Sequence, residues 1–361
     1  MGERKMKRGE LIFSSLVILT VAVGGLAGCG TTSDSAKKPY ASENWMLKGP
    51  DADKDEAMWS AIRQEPLRVV AGPSDQQLYL LRAKAGEGML LQVDRRSRQA
   101  VSHVAVGSAP IFMAISADGK EGYVANHLSD SVSVVDLAAQ RVTATIPVGR
   151  NPMRAALTPS GKFLYVSNHG SDDLSIIDTA SNRVVRTIPV GSRPCGIAFS
   201  PDGRFAYVVD HGFTDMAVID TVSDKILRRV EVGQAPMAVA VTPDGRRAYV
   251  ANDGANSVAV VDLTSFEVTR SIPVGEGPME IALTPDGKTA YVLNQHSSTL
   301  SLIDTATGTV RKTLDAGTSP RSIALSADGK NVFLTNYGEE NLSVIDTAGQ
   351  RVVQHYRIPL M

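Results

Sequence analysis

The stretch Gly149–Asp178, GRNPMRAALTPSGKFLYVSNHGSDDLSIID, decides the fold, because close copies of it recur along most of the chain at one fixed spacing. Its proline returns as Pro110, Pro152, Pro194, Pro236, Pro278 and Pro320, at intervals of 42 residues with no insertion. A fixed period of this kind marks a repeat architecture. Each unit holds four short runs: apolar residues after the proline, Tyr-Val-x-Asn or a near copy, a run such as Leu-Ser-Ile-Ile-Asp, and Val-Val-Arg-Thr-Ile-Pro-Val-Gly. The runs are rich in Val and Ile and are broken by turn residues, with no helix-length periodic segment among them, so they read as strands A to D.

The turn between the first two strands is the most legible, as in Thr242-Pro243-Asp244-Gly245-Arg246. Proline presets one dihedral, aspartate bonds its own backbone and glycine supplies the positive φ, which predicts a tight hairpin. Strand A is small and apolar on both faces, as a sheet covered on both sides requires. Strand D carries Pro147, Pro189 and Pro273, and proline tolerates only an edge position. Strand A is therefore predicted to line an axis and strand D the rim, and four-stranded blades stacked around an axis make an all-β propeller. Residues 67–106 supply a degraded first copy, in which Asp94 precedes Asp136 by 42 residues, so the count is seven blades over residues 67–361. This first copy lacks the Gly-x-x-Pro entry and is expected to have a longer turn between its second and third strands. Ring closure is expected to rest on packing of blade 1 against blade 7, with a strand exchanged from residues 45–66 as the alternative.

The motifs Pro-Asp-Gly, Tyr-Val-Ala-Asn at Tyr249 to Asn252, and Val-Ile-Asp-Thr at Val218 to Thr221 and Val344 to Thr347 resemble those of the bacterial and archaeal YVTN-repeat β-propeller proteins. The likeness is strongest from Gly107 to Thr347. It implies a propeller whose ligands vary, since a fold does not fix an activity.

The chain has 361 residues and is 43% hydrophobic, enough for one large ring of blades. Residues 1–28 read as a signal peptide: Arg4, Lys5, Lys7 and Arg8, a mainly apolar run from Leu11 to Val23, then Leu26-Ala27-Gly28-Cys29. Leu-Ala-Gly-Cys resembles the bacterial lipoprotein processing box, which implies acylation of Cys29 and a body tethered outside the cytoplasmic membrane. The alternative is an uncleaved anchor, although the run is shorter than the ~20 residues of a span. Residues 29–66 read as a spacer with a short amphipathic helix from Asp53 to Gln64, carrying Trp45 and Trp59. The mature chain would hold 33 basic and 36 acidic residues without a like-charge block, so nucleic acid is not a predicted partner. Cys195 is then the one cysteine left, and no internal disulfide is expected.

The B–C turns and the D–A links fall on one end of the ring. There, one register reads His127, His169, His211, Asp253, Gln295 and Tyr337. Imidazoles on adjacent blades suggest a site for a divalent metal or copper; the competing reading is a turn copied when blades duplicated. The top of strand A reads Ile111, Met153, Cys195, Met237, Met279 and Arg321, either soft ligands for Cu(I) or packing between blades. Arg150, Arg154, Arg193 and Arg321 are candidates for holding an anion such as a carboxylate. Asp136, Asp178, Asp220, Asp262, Asp304 and Asp346 read as turn residues rather than catalytic acids. No phosphate loop, nucleophile elbow or zinc-protease motif occurs, and no Cys-x-x-Cys-His, which excludes covalent c-type haem by that motif. The chain reads as a non-catalytic, lipid-anchored binding or scaffold module of the bacterial cell envelope, recognising a protein or small ligand on the B–C/D–A end. The alternative is a periplasmic oxidoreductase or hydrolase module with a metal or cofactor over the channel.

Overall fold

The computed structural model describes residues 67–74, 76–84 and 86–357, and these form seven four-stranded antiparallel sheets. Every sheet has the order A-B-C-D and is made of consecutive strands. In blade 3 these are Pro152–Leu157, Phe163–Asn168, Asp173–Asp178 and Arg183–Pro189. The strand A residues of each blade lie against those of its neighbours, and strand A of blade 1 (Leu67–Ala71) touches those of blades 2 and 7, so the ring is closed around an inner wall of A strands. The predicted signal peptide, the Cys29 box and the Asp53–Gln64 helix lie outside the described residues.

The turns follow the chemistry of their residues. In blade 5, the Gly245 N–H donates to the Thr242 carbonyl at 2.8 Å and the Thr242 hydroxyl to Asp244 at 2.6 Å. Gly245 has φ +70°, and a Cβ there would stand 3.0 Å from Pro201 in the preceding blade. The strand C aspartates cap the C–D turns, as where Asp262 accepts the N–H groups of Thr264 and Ser265 at 2.8 and 2.9 Å. The strand B asparagines do not serve the backbone as a rule. The Asn168 amide donates to the Ser175 hydroxyl at 2.9 Å, and Asn126, Asn294 and Asn336 bond Ser133, Ser301 and Ser343 in the same way.

Side chains along strand B alternate between the two neighbouring blades, which is why these runs are apolar throughout. Leu164 and Val166 pack with Tyr123 and Val134 of blade 2, whereas Tyr165 packs with Ala206 and Val208 of blade 4. The aromatic register Tyr123, Tyr165, Tyr207, Tyr249, Tyr291 and Phe333 is fully buried, and truncating such a ring costs about 3–5 kcal/mol. The last gap is filled in the same manner: Val69, Leu78, Leu80, Leu91 and Val93 of blade 1 meet Phe333, Leu342 and Val344 of blade 7. Among the described residues each blade supplies its own four strands, and residues 45–66, the alternative source of a closing strand, lie outside them. Blade 1 departs from expectation at its second connection. Its B and C strands, Gln77–Lys84 and Glu87–Asp94, pair out to Lys84 and Glu87, so the extra residues lengthen the hairpin arms and the turn is shorter than in the other blades.

Candidate functional site

The backbone of the B–C/D–A end is the same in six blades. The first residue of each B–C turn donates its N–H to the residue before the link proline: His127 to Ala109, His169 to Asn151, His211 to Arg193, Asp253 to Ala235, Gln295 to Gly277 and Tyr337 to Ser319, at 2.8–3.1 Å. The accepting residues all lie in the left-handed region, with φ between 48° and 66°. Part of that strain is offset by caps such as Asp130 on the Asn151 N–H and Asp172 on the Arg193 N–H, both at 2.8 Å. A fixed scaffold thus places three imidazoles, a carboxylate, an amide and a phenol in succession, with His127, His211 and Gln295 buried and His169, Asp253 and Tyr337 half-buried.

The three predicted histidines share this register but do not converge on one point. The His169 and His211 rings are 6.2 Å apart between centroids and tilted by 40°, whereas His127 Nδ1 lies 3.2 Å from the Pro152 carbonyl. Among the described residues no group of three or more His, Cys, Asp or Glu side chains is placed to hold a metal. Burial, helped by the nearby Arg193 charge, lowers His211 to about 4, which keeps this imidazole neutral at ordinary pH.

Strand A begins with an irregularity in blades 2 to 7. Asn168 pairs with Pro152 but Ser167 pairs with Arg154, leaving Met153 out of the ladder, and Ile111, Met237, Met279 and Arg321 are skipped in the same way. In blade 4 both Cys195 and Gly196 are skipped. Such bulges re-aim side chains, and here they produce two successive rings around the axis. The first ring holds Ile111, Met153, Cys195, Met237 and Met279, which pack together in one cluster, and burial pushes the Cys195 thiol up to about 12. A thiol so held supplies no thiolate at neutral pH.

The second ring carries charge. Glu280 Oε1 accepts from Arg68 at 2.9 Å and lies 3.3 Å from an Arg154 nitrogen. Its Oε2 accepts from the Ser322 hydroxyl at 3.2 Å and the Ile323 N–H at 2.8 Å. Arg154 also lies over the Phe112 ring at 4.6 Å. Arg68 donates to the carbonyl of Arg321, whose guanidinium stacks on Tyr337 at 5.1 Å. The Arg321 side chain is lowered to about 10 by burial and by the neighbouring Arg68 charge. The cluster therefore runs from the second ring to the B–C turn of blade 7. Of the four arginines picked from sequence, the structure brings Arg154 and Arg321 to this cluster. Arg193 instead lies near His211, in the D–A link before blade 4, and Arg150 is exposed in the link before blade 3. Arg68 and Glu280 were missed; the available signal was a charge within an otherwise apolar strand A, at its second residue in blade 1 and its third in blade 6.

Solved structures share this architecture. Hydrazine synthase of Kuenenia stuttgartiensis is 24% identical with a TM-score of 0.71, over 78% of this chain and 95% of that one. A functionally unknown protein from Desulfotomaculum acetoxidans DSM 771 is 18% identical with a TM-score of 0.65, over 74% and 92%. Dihydro-heme d1 dehydrogenase NirN, solved in complex with DHE, is 18% identical with a TM-score of 0.61, over 80% and 66%. At these identities the likeness is one of fold. No curated protein matches the sequence. The YNCE-like beta-propeller family matches residues 96–210 and 238–325, more than half of the chain, and its seven consecutive blades agree with that match: the protein belongs to the YNCE-like beta-propeller family.

Proposed function

We propose that this protein is a non-catalytic recognition module that binds a partner or small ligand over the B–C/D–A end of its ring. The observation that carries this reading is the six-blade register on that end, where one repeated N–H···O=C bond fixes the backbone while the side chains run His127, His169, His211, Asp253, Gln295 and Tyr337. A repeat that served stability alone has no need of different polar chemistry at each copy, whereas recognition requires it. Acylation at Cys29 would hold this module at the bacterial cell envelope, outside the cytoplasmic membrane, with its recognition end available to other envelope components.

The test compares the two ends of the ring. A variant combining Arg150→Glu, Asp253→Ala and Tyr337→Ala alters the recognition end, and one combining Arg204→Glu, Arg246→Glu and Lys288→Glu alters the opposite end. Both are used to capture binders from a detergent extract of the envelope, with native mass spectrometry of the eluates. Loss of the bound species from the first variant only is expected. Equal capture by both variants, or equal loss from both, overturns the assignment.

A further inference from the structure

We infer that the gap between blades 5 and 6, on the end opposite the B–C/D–A end, holds a site for a small hydroxylated carboxylate of the sugar-acid class. A groove of about 240 Å³ lies there, lined by Arg247, Tyr249, Asp262, Thr269 and Arg270 of blade 5 and by residues 305–308, the C–D turn of blade 6. It has room for about eight water molecules at ~30 Å³ each. Sites for drug-sized ligands begin at ~300 Å³, so the groove suits a single sugar-sized ring.

The groove exists because the chain departs from its own repeat at two positions. Between blades 3 and 4, Arg186 of strand D bonds Asp224 in the next C–D turn at 3.0 Å and covers the Phe163 ring at 4.7 Å. Between blades 4 and 5, Arg228 lies over the Phe266 ring at 5.4 Å, and Phe205 packs against the same cluster. Between blades 5 and 6 the matching positions hold Arg247 in place of Phe163 and Phe205, and Gly308 in place of Asp224 and Phe266. A guanidinium and a bare backbone thus replace the side chains that fill the groove elsewhere. Gly308 has φ +64°, and a Cβ there would stand 3.0 Å from the Arg270 side chain. Its absence lets Arg270 reach the turn, where it donates to the Thr307 and Gly308 carbonyls at 2.8 and 3.2 Å.

The polar groups then select the ligand. Arg247 donates to the Thr305 carbonyl at 3.0 Å, and among the described residues neither it nor Arg270 forms a salt bridge. Asp262 is the one carboxylate in the lining. Its Oδ1 caps the turn through the Thr264 and Ser265 N–H groups, and its Oδ2 is bonded by none of the described residues. Asp304, just outside, lies 3.9 Å from Arg311. Two guanidiniums beside one carboxylate suit a ligand with a single negative charge, which planar N–H groups bind in pairs. Sugar hydroxyls complete the match, since each donates to a carboxylate oxygen such as Asp262 Oδ2 and accepts from a guanidinium.

Titration calorimetry of the full chain in detergent at low salt, with glucuronate, glucose and acetate as probes, tests this. Glucuronate should bind more tightly than glucose, which lacks the charge, and than acetate, which lacks the hydroxyls. Arg247→Gln and Arg270→Gln, both at exposed positions, should each weaken glucuronate about tenfold, the loss of one charge-assisted hydrogen bond. Gly308→Asn, which supplies the residue type that Asn182 provides in blade 3, should block binding while leaving both charges in place. Arg228→Gln, in a filled gap, should leave binding unchanged. Absence of glucuronate binding, equal affinity for glucose or acetate, or an equal loss in Arg228→Gln overturns the inference. If Gly308→Asn does not fold, the three arginine variants decide alone. Arg204, Arg246 and Lys288 do not line the groove, so this site and the recognition end succeed or fail separately.

Discussion

Exchanging Asp210 for asparagine should flatten the dependence of this protein's stability on pH. Asp210 ends strand B of blade 4, where Asn126, Asn168, Asn252, Asn294 and Asn336 stand in five other blades. It is fully buried, and Arg229 donates to it at 2.6 Å and to Asp215 at 2.9 Å. One guanidinium shared by two carboxylates does not repay the burial of both, so burial pushes Asp210 up to about 8 despite the contact. The unfolded chain releases this proton near pH 4, whereas the folded chain holds it to about pH 8. Stability therefore falls as pH rises through that window and is level above it. At about 1.4 kcal/mol per pH unit over about four units, the loss is on the order of 5–6 kcal/mol, an upper bound because Arg229 is partly open to solvent. Asparagine has no proton to lose and leaves Arg229 on Asp215. Urea denaturation of wild type and Asp210→Asn at pH 5, 6, 7 and 8 measures the effect. The variant should gain on wild type by several kcal/mol between pH 5 and pH 8. Parallel stability curves would refute the argument.

Two further outcomes are expected. Gly245→Val should lower the melting temperature by several degrees while Arg246→Ala leaves it nearly unchanged, because valine is forced to φ +70° against Pro201 whereas the arginine is exposed; equal melting temperatures would contradict the turn geometry. Cys29→Ser should release the mature body from membranes in fractionation, because the several acyl chains of a lipoprotein hold far more firmly than one; retention of the variant in the membrane pellet would favour an uncleaved anchor.

The fold was legible because the features that build it repeat. Proline in strand D, Pro-Asp-Gly between strands A and B and the aspartate that ends strand C each report a local backbone requirement, and they recur in register. The end of the ring that carries His127, His169 and His211 was legible for the same reason. What the period hides is convergence across the axis. Arg154 and Glu280 belong to blades 3 and 6, and their meeting depends on ring curvature and on the strand A bulges, neither of which a single blade encodes. Arg68 was harder still, since blade 1 lacks the proline that sets the register elsewhere. The lengthened arms of the blade 1 hairpin were missed because the same two extra residues fit either a longer loop or a longer ladder.

The seam between blades 7 and 1 makes the ring a cyclic array rather than a string with two ends. Each blade owns all four of its strands, and Val69, Leu78 and Leu80 meet Phe333 and Leu342 as any neighbours do. In such an array the folding free energy is a sum over blades and the gaps between them, with no term that records where synthesis began. Joining Arg357 to Leu67 by a Gly-x-x-Pro link and opening another link would leave every ladder and every gap in place. Circular permutants cut at different links should thus differ in stability only by the small entropy of the loop that each one loses.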